Sequence, residues 1–81
     1  MNKLSDLVDL VEGMKDDGFQ VRYLLINDLL TLIVSNGNII EVEERTDDIG
    51  FNVKVFTPRY HLKYETIWWD FGDVIDYIAG Y

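Results

Sequence analysis

The feature that most constrains this chain is Ser35-Asn36-Gly37-Asn38, set between two short apolar or alternating runs, Leu29–Val34 and Ile39–Glu44. Asn-Gly is the preferred pair for a two-residue type I′ turn, because both central residues need positive φ and the twist of the turn matches that of the strands it joins. The sequence therefore predicts a β-hairpin with Asn36-Gly37 as its loop. That register sets Ile33 opposite Ile40 and Thr31 opposite Val42 on one apolar face, and places Glu41 and Glu43 with Leu30 and Leu32 on the other. The acidic side is expected to face solvent.

The same period of two runs on either side. Phe19, Val21, Tyr23 and Leu25 alternate against Gln20, Arg22, Leu24 and Ile26, which predicts a preceding strand, with Asn27-Asp28 as the turn between. A helix over 21–32 competes, since Val21, Leu24, Leu25 and Leu32 have roughly helical spacing; short apolar runs between turn signals favour strands. Phe51, Val53 and Val55 predict a fourth strand, which Thr57-Pro58 ends because proline lacks a ladder donor and restricts its predecessor. Tyr60, Leu62 and Tyr64 form a possible fifth.

Helical spacing brackets these strands. Leu4, Leu7, Val8, Leu10, Val11 and Met14 fall on one arc and Asp6, Asp9, Glu12 and Asp16 on the other, which predicts an amphipathic helix capped by Asn2 or Ser5 and ended at Gly18. Near the C-terminus Phe71, Val74, Ile75 and Ile78 share a face, with Asp70 as cap and Gly80 as stop, although Thr66 could start this helix earlier. One or both helices should pack on a single face of the sheet. The expectation is an α+β, two-layer single domain over residues 1–81: helix, antiparallel meander of four to five strands, helix.

Eighty-one residues leave no room for a second domain, and a chain this short buries roughly 60% of its unfolded surface. Without cysteine, eleven aromatics and the aliphatic residues must supply the core alone. Acids interrupt the start of the chain, and the apolar region over 23–34 contains Asn27, Asp28 and Thr31 and is too short to cross ~30 Å of hydrocarbon. A cytoplasmic protein without membrane contact is expected.

The inventory for catalysis is poor. There is one histidine, His61, no cysteine, and two serines placed as a cap and a turn residue, so no nucleophile-base pair is predicted. The six glycines are scattered, leaving no phosphate-cradling loop. Asp47-Asp48 and the Asp70, Asp73, Asp76 series lack the glycine and ligand spacing of a calcium loop. No enzyme, cofactor or metal is expected.

Charge carries the functional expectation. Fifteen acids against seven bases give −8, which repels nucleic acid and anionic membrane and attracts a basic protein surface. The acids form three patches: Asp6, Asp9 and Glu12 on the first helix; Glu41, Glu43, Glu44, Asp47 and Asp48 on the hairpin and its end; Asp70, Asp73 and Asp76 on the last helix. Rows of carboxylates can stand in for nucleic-acid phosphates in a cationic groove, whereas the ordinary role of such acids is solubility. Trp68 and Trp69 are adjacent, so one of them must lie at the surface or a boundary, where tryptophan is a frequent interface anchor.

This profile resembles the small acidic inhibitors encoded by phages and mobile elements, which block restriction, CRISPR or DNA-repair enzymes. The likeness is of size, charge and α+β pattern, with no motif matched residue by residue. It implies an inhibitor of a basic, nucleic-acid-handling enzyme; the charge pattern adds that the carboxylates of one of the three patches serve as surrogate phosphates, with Trp68 or Trp69 as anchor. The alternative is a self-associating module, a homodimer held through its sheet, motivated by Leu30, Leu32, Val34 and Ile39. Direct nucleic-acid binding through Arg59, Tyr60, His61, Lys63 and Tyr64 is the weakest of the three, since it works against the net charge.

Overall fold

The computed structural model describes residues 4–45 and 50–80, Phe71 by its backbone alone. An N-terminal helix α1 (Leu4–Asp16) leads into five strands, β1 (Val21–Ile26), β2 (Leu29–Val34), β3 (Ile39–Glu44), β4 (Phe51–Phe56) and β5 (Leu62–Trp68), and helix α2 (Phe71–Ala79) closes the chain. The sheet is an antiparallel meander in the order β1-β2-β3-β4-β5. Its radius of gyration, 11.7 Å, is that of a folded single globule of this length, for which ~12 Å is expected. The α+β pattern predicted from periodicity is the one observed, with the fifth strand present and continuing to Trp68.

Both helices share one face of the sheet. Leu7, Val11, Val74 and Ile78 meet Leu30, Leu32, Ile40, Val42, Phe51 and Val55 in one buried cluster. The meander sends α1 to the β1 side and α2 to the β5 side. The helices therefore flank opposite edges of the sheet, and the outer face is left uncovered by either.

The α1 terminus follows from Gly18. With φ +100° it takes the left-handed conformation; its N–H bonds Lys15 C=O at 3.0 Å and the Phe19 N–H reaches back to Met14 C=O at 3.1 Å. This is the paired-bond stop that glycine favours. The start differs from expectation: Ser5 lies inside the helix, and Asn2 lies outside the described residues. The free Leu4 N–H is instead satisfied from across the fold, by Glu44 Oε1 at 2.8 Å.

The central hairpin corrects the sequence reading by one residue. Leu32 pairs with Ile40, Leu30 with Val42 and Thr31 with Glu41. The loop has three residues, Ser35-Asn36-Gly37: Gly37 N–H bonds Val34 C=O at 2.9 Å, Val34 N–H bonds Asn38 C=O at 3.2 Å, and Gly37 is left-handed at φ +88°. Gly37 thus serves as the third loop residue after a turn, a recognised use of glycine in hairpins. Since side chains alternate with period two, the slip moves Leu30 and Leu32 from the acidic side into the core and Ile33 outward. The two-residue turn with both φ positive occurs at Asn27-Asp28 instead, at 49° and 64°.

The β4-β5 connection repeats the three-residue geometry. Tyr60 N–H bonds Thr57 C=O and Thr57 N–H bonds His61 C=O, each at 2.8 Å, and Tyr60 occupies the left-handed position at φ +65°. A tyrosine is uncommon there. Its ring stacks on Phe56, centroids 4.4 Å apart, and its hydroxyl donates to Glu41, so side-chain contacts hold the turn.

Candidate functional site

The tryptophan pair resolves by strand alternation. Trp68, the last residue of β5, points into the core at 5% exposure and packs against Tyr77 of α2 with ring centroids 5.5 Å apart; Trp69 is 51% exposed. Three contacts fix Trp69. Its N–H donates to Asp73 Oδ2 at 2.8 Å, the Arg45 guanidinium lies 5.4 Å from its ring centroid, and Gly50 allows the chain to pass close beneath. A Cβ at Gly50 would lie 2.7 Å from Trp68 C=O and 3.3 Å from Trp69 Cα, and its φ is +97°, so only glycine fits without displacement.

Asp70 and Asp73 build the start of α2. Asp70 has extended backbone and accepts from Asp73 N–H at 3.3 Å, which satisfies a donor otherwise left open at a helix start, while the Asp73 carboxylate accepts from the backbone N–H of Trp69, one residue before the cap. The helix ends at Gly80 as predicted, with ordinary right-handed φ.

Two grooves meet at Trp69. One, of about 650 Å³, lies on the outer sheet face and is lined by Glu41, Glu43, Lys54, Glu65, Ile67 and Trp69, among others. Here Glu41 and Glu65 flank Lys54 in register, while Glu43 lies between Leu29 and Asn52. The second, of about 580 Å³, runs between β5 and α2 and includes Thr66, Trp68, Trp69, Asp73, Asp76 and Tyr77. The hairpin carboxylates and the α2 carboxylates thus converge on one exposed indole.

The α1 patch stands apart, at the opposite edge. Asp6 and Asp9 face solvent, but Glu12 accepts a hydrogen bond from the Tyr23 hydroxyl. That bond, with burial and the Glu12 charge adding to it, raises the Tyr23 phenol above 10.0; Glu41 raises Tyr60 in the same way. Glu44 is used on the α1 N-terminus. Asp47 and Asp48 lie outside the described residues. Leu30, Leu32 and Val34, which motivated a sheet-borne dimer, are core residues.

The charge tally marks three patches without choosing among them. It missed Glu65, Lys54 and Ile67 as companions of Trp69, for which the signal was the alternation through β5, once that strand is continued to Trp68. His61 is exposed, and its backbone N–H donates to Thr57 Oγ1 at 3.2 Å. Among the described residues no His, Asp and Glu side chains cluster as a metal site, and no helix is long and apolar enough to cross a membrane. No protein-family model matches the chain, and neither a curated protein nor a solved structure matches it.

Proposed function

We propose that this protein is a non-catalytic binding module that engages a basic surface of another protein through the acidic ground around Trp69, and that it acts as an inhibitor by occupying the cationic groove of a nucleic-acid-handling enzyme. The observation that carries this reading is the meeting of two acidic grooves at one exposed indole. Carboxylates at the rim steer a cationic partner and set the salt dependence, while a rigidly held tryptophan supplies the desolvated anchor that charge alone lacks. Clamped by Arg45 and by its own backbone bond to Asp73, Trp69 loses little freedom on binding.

The test is capture from nuclease-treated bacterial lysate with tagged protein, washed in parallel at low and high salt, followed by assay of the captured enzyme with added protein. A basic nucleic-acid enzyme retained at about 50 mM salt, lost well above 200 mM, and inhibited in proportion to added protein is the expected result. Retention independent of salt, or an enzyme unaffected by saturating protein, removes the reading.

One observation favours a second reading, self-association through the sheet. Leu24, Ile26 and Ile33 are exposed on the outer face, on neighbouring strands β1 and β2. A salt-insensitive, concentration-dependent dimer in sedimentation supports it, and a monomer at high micromolar concentration excludes it.

A further inference from the structure

We propose that the β5 edge beside α2 is a strand-addition site, at which an extended, basic segment of the partner pairs with β5 and sets its cations against Glu65, Asp73 and Asp76. The inference rests on the basic-partner reading above and specifies how that partner is held.

The strand order makes β5 an edge, so alternate N–H and C=O groups along it point away from β4, with no strand among the described residues to receive them. Residues 62–66 are exposed, on both sides of the strand. Native edges are usually blunted by bulges, and here Val55 pairs with Tyr64 and Phe56 with Leu62, so the bulge is at Lys63 near the start of β5 itself; from Tyr64 to Trp68 the register is unbroken. Beyond the bulge this leaves an unbroken template of about five residues, the length of a typical strand.

The groove along this edge determines what the template accepts. Among the described residues its lining includes Asp73 and Asp76 and no Lys, Arg or His, and Glu65 stands on the other side of the strand, with Lys54 of β4 its register neighbour. An added strand directs alternate side chains to the two sides. Cations on one side meet Glu65, and those on the other meet α2, with Trp69 in contact with both grooves. Strand addition combines ladder bonds for affinity with side-chain pockets for specificity.

The opposite edge has the reverse character. Although Asp6 and Asp9 lie on the outer side of α1 at that edge, the groove beside β1 itself is lined, among the described residues, by Lys15 and Arg22 with no carboxylate, so a basic strand is disfavoured in it. A second copy of the chain is disfavoured at β5 by the −8 that each molecule carries.

The experiment titrates isotope-labelled full-length protein with a capped peptide of alternating lysine and threonine, and with the same peptide N-methylated at alternate residues to remove the donors of one edge. Amide shifts and slowed exchange confined to residues 62–69, with movement of the Trp69 indole signal, are expected. The N-methylated peptide should bind roughly tenfold more weakly, the worth of one or two lost ladder bonds. The variant Glu65→Lys/Asp76→Lys, which leaves the Asp70–Asp73 cap intact, should weaken the unmodified peptide by a similar factor.

Equal affinity for the two peptides overturns strand addition while leaving the basic-partner reading in place. Shifts centred on α1 or β1, or no binding, also overturn it. Concentration-dependent shifts of β1 and β5 without peptide assign the edge to a second copy and overturn it too. Loss of the basic-partner reading itself is seen separately, as absence of salt-sensitive capture.

Discussion

The two edges of the sheet are built alike and finished differently. Each is a strand with a helix beside it, yet α1 is tied down across the fold and α2 is fastened locally. Four buried residues of α1, Leu4, Leu7, Val11 and Met14, enter the core. Glu44 closes its N-terminus, Tyr23 bonds Glu12, and Lys15 lies 5.5 Å from the Tyr23 ring centroid. The shorter α2 contributes Val74 and Ile78 to the core, and the hydrogen bonds that Asp70 and Asp73 accept at its start span three and four residues. The difference separates two uses of an acidic side chain. On the α1 edge Glu12 and Glu44 hold the fold, whereas on the α2 edge Glu65 and Asp76 line open grooves.

The comparison breaks most readily at Leu7. Its side chain is fully buried, so Leu7→Ala removes apolar burial and leaves a cavity, costing about 2–5 kcal/mol, a large part of the stability of a domain this small. Denaturant unfolding should show a lower midpoint for the whole protein, because α1 and all five strands share one core. A loss of unfolding free energy below about 1 kcal/mol would mean that α1 is peripheral.

Asp70→Ala acts on the other edge and should act locally. Loss of the cap costs about 0.5–2 kcal/mol, and faster amide exchange should concentrate in α2 and at Trp69, leaving α1 unchanged. Uniform acceleration across both helices would contradict the idea that α2 is fastened separately.

The smallest effect is a pH dependence. Hydrogen bonding to Glu12 raises the folded Tyr23 phenol above its ordinary 10.0. A phenol raised on folding stabilises fully below its unfolded value and loses that contribution as pH climbs through the folded value. Stability should therefore fall above pH 10, and Tyr23→Phe should make that fall shallower without altering stability's course between pH 6 and 9. An unchanged alkaline slope in Tyr23→Phe would remove the Glu12 bond from the account of the α1 edge.

Much of the fold was legible because its period is local. Alternation through β1, β4 and β5, the amphipathic arc of α1 and the Asp70 cap each depend on residues a few positions apart. The hairpin register was not, because Asn36-Gly37 satisfies two loops: glycine serves equally as the second residue of a two-residue turn or the left-handed third residue of a longer one. Burial of Leu30 and Leu32 decides between them, and that is a property of the assembled sheet. The site was half legible for a related reason. The carboxylates and Trp69 stand out in the sequence, but their grouping follows from the meander, which separates the two helices and places the hairpin acids and α2 on either side of β5.

The most direct test of the central claim compares charge reversals on the two edges against a captured basic partner. Affinity is measured for Glu65→Lys/Asp76→Lys and for Asp6→Lys/Asp9→Lys, which change the net charge equally. Binding around Trp69 predicts a loss of at least roughly tenfold for the first and a much smaller, salt-screened change for the second. Equal losses, or a greater loss from the α1 pair, would contradict it.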